Sequence, residues 1–404
     1  MKILHLTATL DPAAGGPAEG VRQSAAALAA QGHEVEAATL DAPDAPFLVG
    51  TGMPVTALGP SRGRYGYTPH AVPWLRANGP AFDAVIVNGL WQFHGFAARQ
   101  ALHGLDVPYY VFPHGMLDPW FKRTYPLKHL KKWLYWPWAD YRTLRDARAV
   151  LFTTEEERRL ARRSFSLYRA NERVVSYGTA APPADGDRLR TAFFAAHPAL
   201  AGKRLLTFLG RIHPKKGCDL LIHAFAHACR ERDDAHLLFA GPGSNAMLGA
   251  LRDAANEAGI ARHITWAGML SGDVKWGAFH ASDAFVLPSH QENFGIAVVE
   301  ALGCGVPVLI SDKVNIWREV AADGAGFVAP DTLEGTQSNL RRWFDARDTE
   351  RAAMRARAVD SFRTRFTMEA HTRRLVEVLE TEARRLPTLR VQRTGEPARP
   401  RVHG

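Results

Sequence analysis

Two successive series of short apolar runs, alternating with helical stretches, predict an α/β protein built of two doubly wound domains, each with a parallel sheet covered on both faces. Three observations carry this reading. Runs and helices alternate along nearly the whole chain. A stretch of prolines and small residues at 178–187 interrupts them midway, as an interdomain linker would. The 404 residues, 46% hydrophobic and 23% charged, suffice for two or three domains with a large core and exclude a disordered or fibrous chain.

Taken in order, residues 2–9 form a strand-like run, 11–17 are turn-rich, and 18–31, rich in alanine, are helical by propensity. Further strands are expected at 33–40, 83–88, 108–112, 149–153 and 173–177. After the linker, strands at 205–209, 236–240, 264–267, 284–287, 306–310 and 326–328 are separated by helical segments, a regular doubly wound pattern. From 350 to about 385 the chain reads as helix, and 386–404, rich in Pro and Arg, reads as a disordered basic tail. The expected units are residues 1–180, residues 181–365, a helix at 366–385 returning to the first domain, and the tail. Two such domains in tandem place a cleft between the carboxyl ends of two sheets, where ligands of these folds bind.

The net charge of +9 is unevenly spread. Between 120 and 145 seven Lys or Arg stand against one Asp, and between 384 and 404 six Arg stand against one Glu. The remainder is near neutral and contains no recognised nucleic-acid module, so nucleic acid is not an expected partner. Cys218, Cys229 and Cys304 are an odd number in a long chain, which excludes a disulfide framework and favours a reducing compartment. Residues 1–11 lack the signal-peptide pattern, and no uncharged apolar stretch approaches the ~18 residues of a spanning helix. The expectation is a cytoplasmic protein, at most peripheral on the inner face of a membrane.

The basic segment contains Leu127, Leu130 and Leu134 at helical spacing, expected to face the core, with Trp133 and Trp136 projecting elsewhere near Lys128, Lys131 and Lys132. Pro137 is expected to kink or end the helix, leaving Trp136 and Trp138 at a corner. Indoles beside lysines suit an anionic membrane surface. Packing of these tryptophans against the first domain is the other reading.

Two constellations in the second half can carry chemistry. Strand 205–209 runs into Gly210-Arg211-Ile-His-Pro-Lys-Lys216-Gly217, a glycine-flanked loop with an Arg and two Lys before a helix. This is how a cationic clamp for a diphosphate would be built. A solvated basic turn is the other reading. The second is Glu292-Asn293-Phe294-Gly295-Ile296 followed by Glu300: the segment opens a helix whose free backbone N–H groups can bind an anion. Glu300 lies two turns further on, in an apolar helix where a glutamate is seldom left unpaired. A carboxylate there can accept two hydrogen bonds from a vicinal diol.

These residues carry a resemblance. The 210–217 loop and the two glutamates spaced E-x7-E around Asn-Phe-Gly resemble the donor site of family 4 of the retaining nucleotide-sugar glycosyltransferases of GT-B fold. Gly15-Gly16 after the first strand and Pro113-His114-Gly115-Met-Leu-Asp118 after a central strand resemble the family's glycine loop and histidine segment, and the likeness extends to about residue 385. The resemblance implies a GT-B architecture, two Rossmann-like domains facing a central cleft. It implies that Arg211 and Lys216 neutralise the nucleotide diphosphate, that Glu300 holds the ribose, and that Glu292 with the Asn293–Ile296 backbone holds the donor sugar and phosphate. His114 would lie at the sugar's reacting face, and Gly16 would bring its backbone close to the leaving phosphate. The nucleobase would rest near Gly241, Met269 and Leu270. Asn88, Trp91 and His94 point toward the cleft as acceptor residues, with packing of Trp91 the other reading.

The implied activity is retaining transfer of a sugar from a nucleotide diphosphate donor to a carbohydrate or lipid-linked acceptor, in bacterial polysaccharide or lipopolysaccharide assembly, with neither cofactor nor metal. A different GT-B enzyme such as a sugar-nucleotide epimerase, and a non-catalytic nucleotide-sugar binding protein, are the alternatives. Other motifs are discounted. Asp185 and Asp187 spell Asp-x-Asp but sit in the linker, where turning or capping is expected. His223 and His227, four apart on a helix, are expected to be solvated. The Gly241-Pro-Gly243 segment lacks the rest of a dinucleotide fingerprint.

Overall fold

The computed structural model describes residues 1–105, 107–228 and 232–384. Cys229 and the tail at 386–404 lie outside the described residues. The first sheet has seven parallel strands: β1 (Lys2–Thr7), β2 (Glu34–Thr39), β3 (Val55–Ala57), β4 (Ala84–Asn88), β5 (Tyr109–Phe112), β6 (Ala149–Phe152) and β7 (Glu172–Val174), in the order β3-β2-β1-β4-β5-β6-β7. The second has six: β8 (Arg204–Leu209), β9 (Ala235–Ala240), β10 (Ile264–Gly268), β11 (Ser282–Leu287), β12 (Val308–Ser311) and β13 (Gly326–Ala329), in the order β10-β9-β8-β11-β12-β13. Both are doubly wound α/β sheets, and their strands read as near-continuous apolar runs because both faces are covered. β3 escapes sequence reading because it is three half-buried residues at a sheet edge.

In each sheet the strand order reverses once, between β1 and β4 and between β8 and β11. Ligands of open α/β sheets bind at such switch points, outside the carboxyl ends of the strands. The loops after β1, β4 and β5 and those after β8 and β11 therefore form the walls of one cleft.

The chain crosses between the domains twice, and the two crossings lie side by side. Thr179 N–H donates to the Phe366 carbonyl at 3.0 Å, and a Cβ on Gly178 would sit 2.4 Å from the Thr367 carbonyl oxygen. After a π-helical turn at Phe362–Phe366, the helix Met368–Arg384 packs on the first domain. Its Leu375, Val378 and Leu379 share a core with Ile3, Leu28, Ile86 and Tyr110, each burial contributing roughly 1.5–3 kcal/mol. Glu382 fixes its far end through Arg173 (2.8 Å) and Asn171 (2.9 Å).

The basic segment departs from expectation. The helix Pro126–Tyr135 ends before Pro137, but its leucines face outward: Leu127, Leu130 and Leu134 are 76%, 60% and 74% exposed, whereas Trp136 is fully buried. The physical reason is a competing stripe at the same helical spacing. His129, Lys132, Trp133 and Trp136 stand at i, i+3, i+4 and i+7, and an aromatic stripe buries more area than three leucines. Trp136 stacks on Phe165 at 4.1 Å and donates its indole N–H to the Leu167 carbonyl, and His129 stacks on the same ring at 4.6 Å. Of the tryptophans expected at a corner, Trp138 is exposed and Trp136 is core.

Candidate active site

The loop after β8 is shaped by its own turn. The His213 ring accepts from Lys215 N–H, and Gly217, at φ 65°, lets the backbone pass where a Cβ would meet the Pro288 carbonyl at 2.2 Å. That close approach brings the cation loop against the loop after β11. Lys216 makes an ion pair with Glu292, and Lys215 Nζ reaches Gln291 Oε1 at 3.4 Å. Arg211 is exposed at the loop's start. Burial, then the charges of Lys215 and Arg211, pull the Lys216 ammonium well below its usual pKa.

The helix Ile296–Gly303 opens beneath Gly295, which adopts φ 78°. Ile296 stands across the cleft from Gly16, where an added Cβ would lie 3.4 Å from Ile296 Cδ1. Gly16 itself begins the helix Gly16–Ala30, so two helix N-termini face each other across the cleft, each with free N–H groups and the positive end of its dipole. A Cβ on Gly16 would be in ordinary contact, so no clash within the protein requires glycine there. Phe294 is a core residue, edge-on to Tyr177 at 5.2 Å, so its side chain belongs to the core and not to the cleft. Glu300 is buried and paired with Lys275 Nζ at 2.6 Å. Burial raises its carboxyl pKa and Lys275 opposes the rise.

On the first domain, His114 follows β5 with φ 49°. Asn88 at the end of β4 donates its amide N–H to the Ile86 carbonyl (3.1 Å), which turns its Oδ1 toward His114 Nε2 at 3.3 Å. His114 therefore donates from Nε2 and keeps Nδ1 as an acceptor. Burial, and secondarily His371, lower its pKa to about 4, so the imidazole is neutral near pH 7. Gly115 N–H is held by the buried Glu157, which also binds Thr153 N–H at 2.8 Å. A Cβ on Gly115 would lie 2.7 Å from the Asn293 side chain, and Asn293 Nδ2 donates to Thr153 Oγ1 at 3.3 Å. The histidine loop and the Glu292 loop thus touch.

The remaining candidates divide. Gly241 lies against the Gly210 loop, and its N–H donates to the Gly268 carbonyl at 2.6 Å. Met269, exposed, and Leu270 follow directly on that rim. Of the acceptor candidates, Asn88 orients His114 but His94 is a correction. Its ring is fully buried, with Nε2 on the Asn88 carbonyl at 2.9 Å, and does not face the cleft. Trp91 packs against the stacked Trp136 and Phe165 rings, under the Lys132 ammonium; it lines an apolar cavity of 60 Å³ shared with Met116 and Phe121. A larger interdomain cavity of 430 Å³ is lined by Asp118, Trp120 and Arg123 from one side and His290, Lys313 and Arg318 from the other. Asp185 caps the helix Gly186–Ala196 by accepting from Arg188 N–H, and His223 and His227 are exposed. Among the described residues no three His, Cys, Asp or Glu side chains converge as a metal site.

Sequence reasoning missed Glu157, Lys275 and His371. Glu157 carried a signal, since Thr154-x-x-Glu157 has the spacing of a capping box. Lys275 and His371 carried none, because only tertiary packing brings them to Glu300 and His114.

Comparison with known proteins agrees with this architecture. Residues 15–178 match the family described as glycosyl transferase 4-like domain, and residues 190–358 match glycosyl transferases group 1. A D-inositol 3-phosphate glycosyltransferase of Jonesia denitrificans is 28% identical over 205 residues, 48% of this chain and 47% of that protein. The chain thus spans about half the length of this curated relative. Anabaena HepE, solved with UDP and glucose, superposes with a TM-score of 0.72 at 19% identity, over 94% of this chain and 100% of that one. WaaG, a glycosyltransferase involved in lipopolysaccharide biosynthesis, gives 0.62 at 19% identity, over 94% and 99%. At such identities the structures establish the fold, and the two sequence matches establish the halves. With both halves matched and the two sheets so arranged, the chain belongs to the family 4-like glycosyltransferases of GT-B fold.

Proposed function

We propose that the protein transfers a sugar, with retention, from a nucleotide diphosphate donor to a carbohydrate or lipid-linked saccharide acceptor. The observation that carries the reading is the convergence on one cleft of Lys216 paired to Glu292, Gly115 against Asn293, and Gly16 against Ile296. Residues from four separated segments meet where cations and two helix N-termini can hold a diphosphate and a neutral imidazole can accept from a sugar hydroxyl. HepE has been solved with UDP-glucose, which supports a nucleotide-sugar donor. WaaG's part in lipopolysaccharide biosynthesis supports a role in assembling a bacterial surface glycan, at the cytoplasmic face.

In this reading Glu300, paired with Lys275, accepts from the ribose hydroxyls, and Arg211, Lys216 and the Gly16 and Ile296 amides take the diphosphate. Binding of phosphate draws Lys216 away from Glu292, which turns to the sugar. The acceptor oxygen forms its bond to the anomeric carbon on the face from which the phosphate departs. Its proton passes to a phosphate oxygen, and the cationic loop stabilises the leaving diphosphate. No divalent cation is needed, because protein cations supply the charge. A thermal-stabilisation screen of nucleotide sugars tests donor binding: at about 100 times its Kd a ligand adds ~2.7 kcal/mol. Glu300→Ala should erase the shift given by the preferred donor, and a shift that survives this change would contradict the assignment.

A further inference from the structure

The helix Pro126–Tyr135 presents to solvent what a core normally hides. Leu127, Leu130 and Leu134 stand at i, i+3 and i+7 on one exposed face, and exposed Trp138 and Tyr125 extend it at either end. The opposite face is pinned by Trp136, Trp133 and His129 against Phe165, so the helix cannot roll its leucines inward. Around them stand exposed Lys122, Arg123, Lys128 and Lys131, and no Asp or Glu occurs between 119 and 139. Arg142 lies over the Trp138 ring at 5.4 Å and Lys128 over the Tyr125 ring at 4.7 Å, an arrangement of cations beside amphipathic rings.

We infer that this face seats the protein on an anionic lipid bilayer, with the leucines and Trp138 in the headgroup–acyl boundary and the basic rim on the phosphates. Charge decides between this occupant and a second copy of the chain. A symmetric dimer through the leucines would press one unneutralised basic rim against another, whereas an anionic surface neutralises it. A short amphipathic helix with a basic polar side lies in the interface plane, its apolar face buried about 5–10 Å. The neighbouring helix Trp120–Thr124 carries Trp120 and Arg123 into the wall of the interdomain cavity, so docking brings the cleft mouth to the bilayer surface. Resting on the glycosyl-transfer reading, this makes the acceptor a lipid-linked saccharide presented there.

The test is sedimentation of the full chain with phosphatidylcholine vesicles, with and without phosphatidylglycerol, across salt concentrations. The protein should bind the anionic vesicles at least tenfold better at low salt and release as salt rises. Leu127→Ser/Leu130→Ser/Leu134→Ser should weaken binding about tenfold or more at every salt concentration. Lys122→Gln/Lys128→Gln/Lys131→Gln should weaken it only at low salt, by roughly fivefold per charge. Both sets change exposed side chains, and unchanged Tm confirms intact folding. Vesicle binding unaffected by the serine changes overturns the inference. So does a wild-type dimer, seen in solution without vesicle binding, that the serine changes dissociate. Because sedimentation reads no transfer, its failure is separate from failure of the proposed activity; donor binding should be equal in all variants.

Discussion

Replacing Lys216 should cost more than replacing Arg211, although both are assigned to the diphosphate. Arg211 is exposed, and Arg211→Ala removes one solvent-accessible charge-assisted contact, worth about 1.5 kcal/mol and so roughly tenfold in affinity. Lys216 is mostly buried and ion-paired with Glu292, itself mostly buried. Lys216→Ala removes a stronger contact, about 2–3 kcal/mol, and leaves the Glu292 carboxylate unneutralised beside the phosphate site. Like charges about 5 Å apart repel by ~3 kcal/mol at an effective dielectric of 20, of which roughly 1 kcal/mol survives screening and relaxation. The total, about 3–4 kcal/mol, is roughly a hundred- to a thousandfold. Adding Glu292→Gln to Lys216→Ala should recover about fivefold, while Glu292→Gln alone leaves affinity near wild type. Titration calorimetry with UDP, the nucleotide bound by the solved HepE, or with the nucleotide chosen by the thermal screen, reads all four. Equal losses in Arg211→Ala and Lys216→Ala, or a double variant weaker than Lys216→Ala, would show that Lys216 does not hold the diphosphate beside a neutralised Glu292.

Three further outcomes are expected. His114→Ala and Asn88→Ala should lower kcat with nucleoside diphosphate affinity nearly kept, whereas Glu300→Ala should weaken nucleotide and donor together; the reverse pattern would exchange the assigned roles. A chelator should leave turnover intact, and its abolition by chelator with rescue by magnesium or manganese would show that protein cations do not suffice. Stability should fall with acid. Burial holds His94, His114 and His371 down to about 4 and His5 to about 3, so these rings stay neutral in the native state while the unfolded chain takes up protons below about pH 6.5. Their contribution is full above that pH and is lost as pH falls toward 4, by about 2 kcal/mol per ring at pH 5. Asp140, pushed up to about 6 by burial, opposes the loss below pH 6. Tm should therefore drop from pH 7 to 5, less steeply in His371→Phe; an identical slope in that variant would contradict the assignment.

The sheets were legible because buried parallel strands such as 84–87 and 149–152 are unbroken apolar runs. The meeting of the loops after β8 and β11 was legible because both leave the carboxyl ends of neighbouring strands at the switch point, where ligands of such sheets bind. The orientation of the helix at 126–135 was not. Its leucines and its aromatic residues repeat with the same period, and the choice between them lies in Phe165, thirty residues away in sequence and unseen by any local pattern. His94 failed for a related reason: its position after β4 suggested the cleft, while its side chain closes a hydrogen bond back to Asn88. Pairings such as Lys275 with Glu300 depend on which helices abut, and alternation of strands and helices does not specify that.

Sugar transfer from a nucleotide to an acceptor is the proposed activity. The direct measurement is release of nucleoside diphosphate from the preferred labelled nucleotide sugar, with lipid-linked saccharides added or withheld, alongside the anomeric configuration of any product. Stoichiometric nucleoside diphosphate and labelled product are expected only when acceptor is present, with the donor's anomeric configuration kept and both lost in Glu292→Ala. Nucleoside diphosphate released with a free epimerised sugar and no acceptor, or an inverted product linkage, would contradict it.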